Sequence, residues 1–262
     1  KENVLIPSIN MFKSHENKGY QELHKRLAGV ESIPALYLGH FRDVARQAWD
    51  FPCVAKKLDG FGSGGVGLVH SNVEVEKAMC SDEVLLRRGF MRRTIGRLIR
   101  PIRSVLFQKK MLSTNDYGNY FDFFRRIVLQ QFLPNMQYDY KVLIFSEKYY
   151  VLKRYVPSGN FRASGSGLFK FEAAPDSLLD YARVLFEKFD VPFISMDICF
   201  DGSGYHLIEF QGVHFGPYTL LDSDGYYTIP EDDWVYREES SYLEKEMAQS
   251  ILSFIKRSKL AG

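Results

Sequence analysis

The sequence predicts a mixed α/β or α+β fold, and three observations carry that expectation. Short runs of β-branched and aromatic residues alternate with stretches of helical period along the chain. No internal repeat and no low-complexity linker interrupts the alternation. The composition, 45% hydrophobic and 25% charged, belongs to a folded chain and excludes a disordered tail, a collagen-like repeat or a disulfide miniprotein. At 262 residues the chain is compatible with one large domain or two small ones.

Taken in order, residues 1–10, KENVLIPSIN, make no signal peptide, because the apolar run is short and no small-residue cleavage site follows. The chain starts with Lys, so a preceding segment is expected. Asn17–Leu27 reads as a helix, Ala35–Leu38 as a strand behind Pro34, Arg42–Trp49 as a helix and Cys53–Lys56 as a strand. The string KKLDGFGSGGVGLV, residues 56–69, then places a glycine-rich loop between two strands, with a helix over Val73–Met79 beyond it. Strands follow at Ile127–Leu133, Tyr140–Phe145 and Tyr149–Tyr155, the last two joined by a turn at SEK. Pro175–Phe189 has helical period with a Pro at its start. Phe193–Phe200 and Tyr205–Phe210 form a hairpin about DGSG, and LLDSDGYYTI predicts another. Ser241–Lys256 closes the chain as an amphipathic helix. No apolar stretch approaches the roughly 20 residues of a membrane span. Cys53, Cys80 and Cys199 lie far apart among apolar neighbours, which excludes a zinc or dithiol motif and fits buried thiols in a reducing, cytoplasmic setting.

Two clusters carry chemistry. Five glycines fall within Gly60–Gly67, where unobstructed backbone N–H groups make an anion-binding nest, and Lys56 on the incoming strand aims a cation at the same place. No G-K-[ST] closes the loop and no helix starts there, so it is neither a Walker loop nor a dinucleotide fingerprint. A flexible turn is the competing reading of these glycines. The second cluster is Asp197 in MDIC with Glu209 and Gln211 in IEFQ. On two strands joined by a short turn these like-parity residues share one face, while Met196, Ile198, Ile208 and Phe210 take the other. Three oxygen donors on a sheet face suit Mg²⁺ with nucleotide phosphates, and a solvated hairpin face is the alternative.

Together these features resemble the ATP-grasp superfamily, in its glutamate-ligase or glutathione synthetase-like branch. HENKGYQ is similar to the family's N-K helix start, making Lys18 a nucleotide-contacting lysine, and FPCVAK to its P-x-V-V-K strand, making Lys56 the second. The resemblance implies that Gly62, Ser63, Gly64 and Gly65 cover the phosphates. VLQQFLP is similar to the adenine-reading hinge, which implies roles for Gln131, Phe132 and Leu133. YDYKV resembles the D-I-R strand, so Asp139 is expected to face the ribose and Lys141 to stand in for an arginine. FRAS resembles F-R-S-N, which makes Arg162 the catalytic candidate on the transferred phosphoryl, beside Lys56, with Ser164 in the place of Asn. MDIC and IEFQ resemble the metal pair, implying ligands Asp197, Glu209 and Gln211, the last a Gln where the family has Asn.

The resemblance implies two α+β subdomains clasping ATP between antiparallel sheets. The expected division is 1–15 as a remnant or exit strand of a preceding domain, 16–130 as the central subdomain with a basic insertion at about 84–115, and 131–262 as the metal-bearing one. It further implies two Mg²⁺ ions, replaceable by Mn²⁺, and an ADP-forming ligase that joins a small-molecule or peptide carboxylate to an amine or thiol through an acylphosphate. A kinase acting on a hydroxyl of a small anionic substrate and a non-catalytic ATP-binding module of synapsin type are the alternatives.

The formal net charge of +2 hides a segregation. Residues 84–115 carry seven Arg and two Lys and no acid, which leaves 25 basic against 32 acidic groups elsewhere. This segment reads as a solvated helical face, a clamp for an anionic substrate, or a surface for acidic lipid or nucleic acid. No nucleic-acid motif accompanies it, so no nucleic-acid partner is expected, and the oligomeric state is left open. His214, just past the metal strand, reads as a hydrogen-bonded structural histidine before a substrate-orienting one. Tyr218, Tyr226 and Tyr227 read as packing residues.

Overall fold

A computed structural model of the chain describes residues 5–39, 43, 49–58, 65–79 and 126–260. It opens with helices α1 (Ile9–Ser14) and α2 (Lys18–Leu27), followed by β1 (Ala35–Leu38), β2 (Cys53–Lys57), β3 (Val66–Val69) and α3 (Asn72–Met79). Next come β4 (Ile127–Gln131), β5 (Tyr138–Phe145), β6 (Lys148–Tyr155), β7 (Phe169–Lys170) and α4 (Asp176–Phe189). The chain continues through β8 (Phe193–Phe200), β9 (Tyr205–Gln211), α5 (Tyr218–Leu221), β10 (Gly225–Thr228), β11 (Val235–Glu238) and α6 (Leu243–Leu260). Three expectations, the helix over residues 42–49, most of the glycine loop including Gly62, Ser63 and Gly64, and the basic segment 84–115, lie outside the described residues.

Among the described residues the strands build two antiparallel sheets, ordered β1-β4-β2-β3 and β11-β10-β6-β5-β8-β9, with β7 on β6. The mixed α+β expectation is met. The first sheet buries Leu38, Cys53, Ala55, Ile127 and Leu129 against Val75 and Met79 of α3. In the second, the alternation of β5 decides what each face meets. Tyr140, Val142 and Ile144 point into a core with Leu178, Leu179, Ala182 and Leu185 of α4, whereas Leu143 and Phe145 pack under α5 and α6 with Leu220, Leu243 and Met247. Asp139 and Lys141 continue that second face, Lys141 with its Nζ 5.8 Å from the ring of Tyr218 at the start of α5. The same sheet face therefore changes from apolar to charged within one strand.

β9 is an edge strand, and an edge leaves main-chain groups unpaired. Helix α2 covers this edge with an inward face that is polar: Lys18, Gln21, Glu22 and Lys25 are buried. Gln21 Nε2 donates to the Phe210 carbonyl at 2.9 Å and to the Ser14 carbonyl at 3.1 Å. Lys25, with no solvent exposure, gives its three ammonium hydrogens to Glu22 Oε1 at 2.8 Å, Ile208 O at 3.2 Å and Leu207 O at 3.4 Å. The helix is anchored at its start by Asn17, whose side chain accepts from the Tyr20 N–H at 3.0 Å.

Three expectations need correction. The segment 1–15, expected as an exit strand, contains α1 over Ile9–Ser14, capped by Ser8 Oγ on the Met11 N–H, and no strand among its described residues. LLDSDGYYTI is not a hairpin. Its leucines complete α5, with Leu220 buried, and β10 pairs instead with β11, close enough that a Cβ at Gly225 would collide with the Arg237 carbonyl. Ile208 is not on the core face. The β8–β9 register steps from Asp197↔Glu209 to Ile198↔Leu207, a bulge that turns Leu207 into the core and leaves Ile208 facing away from it.

Replacing Lys25 with Met strands the Glu22 carboxylate and two carbonyls, and is expected to lower stability by about 3 kcal/mol, read as a reduced urea midpoint. The Lys25→Met, Glu22→Gln double variant is expected to lose less than the sum of the singles.

Candidate functional site

Where the charged half of the second sheet faces the first, the two enclose a cleft of about 730 Å³. Antiparallel register builds its floor. Asp197 lies opposite both Glu209 and Lys141, Asp139 lies opposite Arg154, and Ser195 lies opposite Gln211. Directly opposed residues share a face, so three carboxylates and two cations converge. Arg154 is the hub. Its Nε and Nη2 donate to Asp139 Oδ1 and Oδ2 at 2.7 and 2.9 Å, and Nη2 reaches Asp197 Oδ2 at 3.0 Å. Lys141 Nζ stands 3.7 Å from Asp197 Oδ1, and Lys18 Nζ 3.8 Å from Glu209 Oε2.

Burial pushes the Asp139 carboxyl above the usual carboxylate range against the pull of Arg154. Burial also opposes the charge on Asp197, but Arg154 and Lys141 outweigh it and hold that carboxyl below the usual range. Asp139 thus turns both oxygens to Arg154. Its geometry is that of a residue positioning Arg154, and it also lines the cleft.

The roof belongs to the first sheet and the loop after β6. Lys56 is buried, with no hydrogen bond or ion pair among the described residues. Burial, then repulsion from Lys25, lowers it to about 8 against the attraction of Glu209. Gln131, Phe132 and Leu133, where β4 ends and the chain crosses to the second sheet, line the cleft beside Val54 and Ile208. Arg162 bridges to the roof, its Nη1 donating to the Val66 carbonyl at 3.2 Å, and Ser164 lines the wall beside it. Gly65, at φ +80°, fixes the end of the glycine loop, its carbonyl accepting from the Lys57 N–H at 2.9 Å, but it is not a wall residue.

The cleft thus brings together Lys18, Lys56, Gln131, Phe132, Leu133, Asp139, Lys141, Arg162, Ser164, Asp197, Glu209 and Gln211. Sequence reasoning left further wall residues unassigned, among them Arg154, Gln130, Ile208 and Glu16. Arg154 was legible only through register, as the partner of Asp139. Gln130 lies opposite Val54 and so on the face of Lys56; its Nε2 is buried without a hydrogen-bond partner among the described residues. Ile208 enters through the bulge. Glu16 lines the cleft, and His214 does so exposed, with its ring 6.5 Å from that of His15, not as a buried structural histidine. Gln211 makes its own contacts in the cleft. The carbonyl oxygen expected to ligate a metal is engaged by His15 Nδ1 at 3.0 Å and by the Glu16 N–H at 3.4 Å. Among the described residues no group of three or more His, Cys, Asp or Glu is arranged to hold a metal ion.

No family model matches the sequence, and no curated protein matches it. Solved structures do. The D-cycloserine synthetase DcsG superposes with a TM-score of 0.55 at 15% identity, over 94% of this chain and 72% of that one. An L-amino acid ligase from Bacillus licheniformis gives 0.52 at 12% identity, over 84% of this chain and 49% of that one. N5-carboxyaminoimidazole ribonucleotide synthetase, as its ADP complex, gives 0.50 at 12% identity, over 82% and 49%. The chain spans about half the length of the latter two. At such identities the likeness is one of fold, and the fold is that of the ATP-grasp proteins.

Lys56 predicts a pH dependence. Below its pKa of about 8 it is a cation facing the cleft, and above it that charge is lost. Affinity for a polyanion such as tripolyphosphate is therefore expected to fall roughly five- to tenfold from pH 7 to pH 9 by calorimetry, and Lys56→Arg to flatten the fall.

Proposed function

We propose that this chain is an ATP-dependent ligase that activates a carboxylate as its acylphosphate and passes the acyl group to an amine. The observation that carries the reading is the facing arrangement of one cleft: Lys56 and Arg162 on the roof side, and the cross-strand pair Asp197 and Glu209 on the floor. A carboxylate needs its oxygen phosphorylated before an amine can displace it. The phosphoryl donor in turn needs positive charge where negative charge develops.

The residues divide this work. Val54 and Ile208 offer apolar walls to a nucleobase, while the 131–133 backbone and the buried amide of Gln130 supply hydrogen-bonding groups at its edge. Lys56 faces the phosphates. Arg162, held against Val66, stabilises the transferring phosphoryl group. The two carboxylates fit a hard divalent cation such as Mg²⁺, since both are oxygen donors opposed across one ladder, with few other protein donors and so with room for phosphate oxygens. Such an ion would neutralise triphosphate charge. Arg154 and Lys141 hold Asp197 in place, and Lys18 does the same for Glu209. The exposed wall of Glu16 and His214 lies at the end left for the amine and carboxylate.

The test is product analysis with candidate acid and amine pairs. ADP and phosphate released only when both substrates are present support the ligase, whereas phosphate retained on a hydroxyl-bearing product overturns it in favour of a kinase. Glu209→Ala is expected to abolish ATP turnover with an unchanged circular dichroism spectrum. Arg162→Ala is expected to lower kcat by roughly 10²–10³-fold.

A further inference from the structure

We infer that the turn His15–Glu16 makes Gln211 a hydrogen-bond donor to Glu209, so that the centre holds one divalent cation and not two. The inference rests on the ligase reading and concerns the ions of its cleft.

The argument begins with an atom whose role is not in doubt. A main-chain N–H can only donate, so the end of the Gln211 amide that faces the Glu16 N–H at 3.4 Å is its oxygen. That fixes two more assignments. His15 Nδ1, 3.0 Å from the same oxygen, carries its hydrogen, and the amide nitrogen of Gln211 points the other way, 3.3 Å from Glu209 Oε1. A cation close to Glu209 on that side would meet amide hydrogens where an asparagine ligand would offer oxygen.

Glu209 itself is the second constraint. To bridge two ions it must give one oxygen to each. Oε1 already accepts from Gln211, whereas Oε2 stands 3.8 Å from Lys18 Nζ, beyond hydrogen-bond distance, so this carboxylate is arranged to serve one ion, through Oε2. Both partners come from one short segment. Glu16 sits at φ +50°, a left-handed conformation uncommon outside glycine, and this turn leads through Asn17, the cap of α2, directly to Lys18. The backbone is bent where the bend aims an N–H at Gln211 and sets Lys18 against the other side of the same glutamate. The added methylene of Gln211, compared with Asn, gives it the reach to touch the turn.

The experiment counts ions on the full chain. Mn²⁺ is titrated into protein saturated with a non-hydrolysable ATP analogue, and bound ion is followed by the loss of the free Mn²⁺ electron paramagnetic resonance signal. One Mn²⁺ per chain is expected; two would overturn the inference and leave the ligase reading standing. Failure to bind the nucleotide at all would overturn both. His15→Ala is expected to weaken the single Mn²⁺ about tenfold, as loss of an outer-shell partner does, and His15→Asn, whose amide can also donate to Gln211, to restore it. Equal affinity in wild type and His15→Ala would remove His15 as a positioning residue.

Discussion

The structure depends on how the open edge of β9 is closed. That strand carries Glu209 and Gln211, and among the described residues it is the last of its sheet, with no neighbouring strand on its outer side. Unpaired carbonyls there cannot be left dry. A further strand would satisfy them, but it would also wall off the cleft. Helix α2 satisfies them with side chains, through Gln21 and the fully buried Lys25, and so keeps the edge rigid while its own first residue, Lys18, remains in the site. The β-bulge is part of the same solution. The carbonyls of Leu207 and Ile208 that the bulge displaces are the two that Lys25 binds.

The second organising feature is the division of one sheet face between core and cleft. Helices α5 and α6 cover the far half, where Leu143 and Phe145 belong, and Tyr218 at the start of α5 reaches as far as Lys141. Charges buried this deeply persist because they are matched. Asp139, Asp197 and Glu209 meet Arg154, Lys141 and Lys18 in a network in which each carboxylate has a cation within 4 Å. Arg154 spans two of the three carboxylates, and its planar fork is what allows it.

Much of this was legible in the sequence, for reasons that also explain what was not. Strands β2, β5, β6 and β8 announce themselves by β-branched runs and turn residues, and parity alone put Asp197 and Glu209 on one face. Parity fails wherever a register shifts, which is how Ile208 was misplaced. Arg154 and Gln130 escaped because their meaning lies in what stands opposite them, a fact of pairing and not of local pattern. Helix α2 was expected over Asn17–Leu27, but its orientation was not: Leu23 and Leu27 face outward and the polar stripe faces in. Burial of a polar stripe is intelligible only once the unpaired strand edge beside it is known. The expected exit strand became α1 for a local reason, the Ser8 cap on the Met11 N–H, which favours a helix start.

Under the proposed ligase reading, the matched network also bears on how an ion and a nucleotide would enter. A bare divalent ion reaching Asp197 and Glu209 meets carboxylates already attended by Arg154, Lys141 and Lys18, so it must displace resident ammonium and guanidinium groups and adds positive charge to a face that is already balanced. A nucleotide brings the compensating negative charge with it. If the cleft works as the proposed ligase, ion and nucleotide would be thermodynamically linked there, each favouring the other.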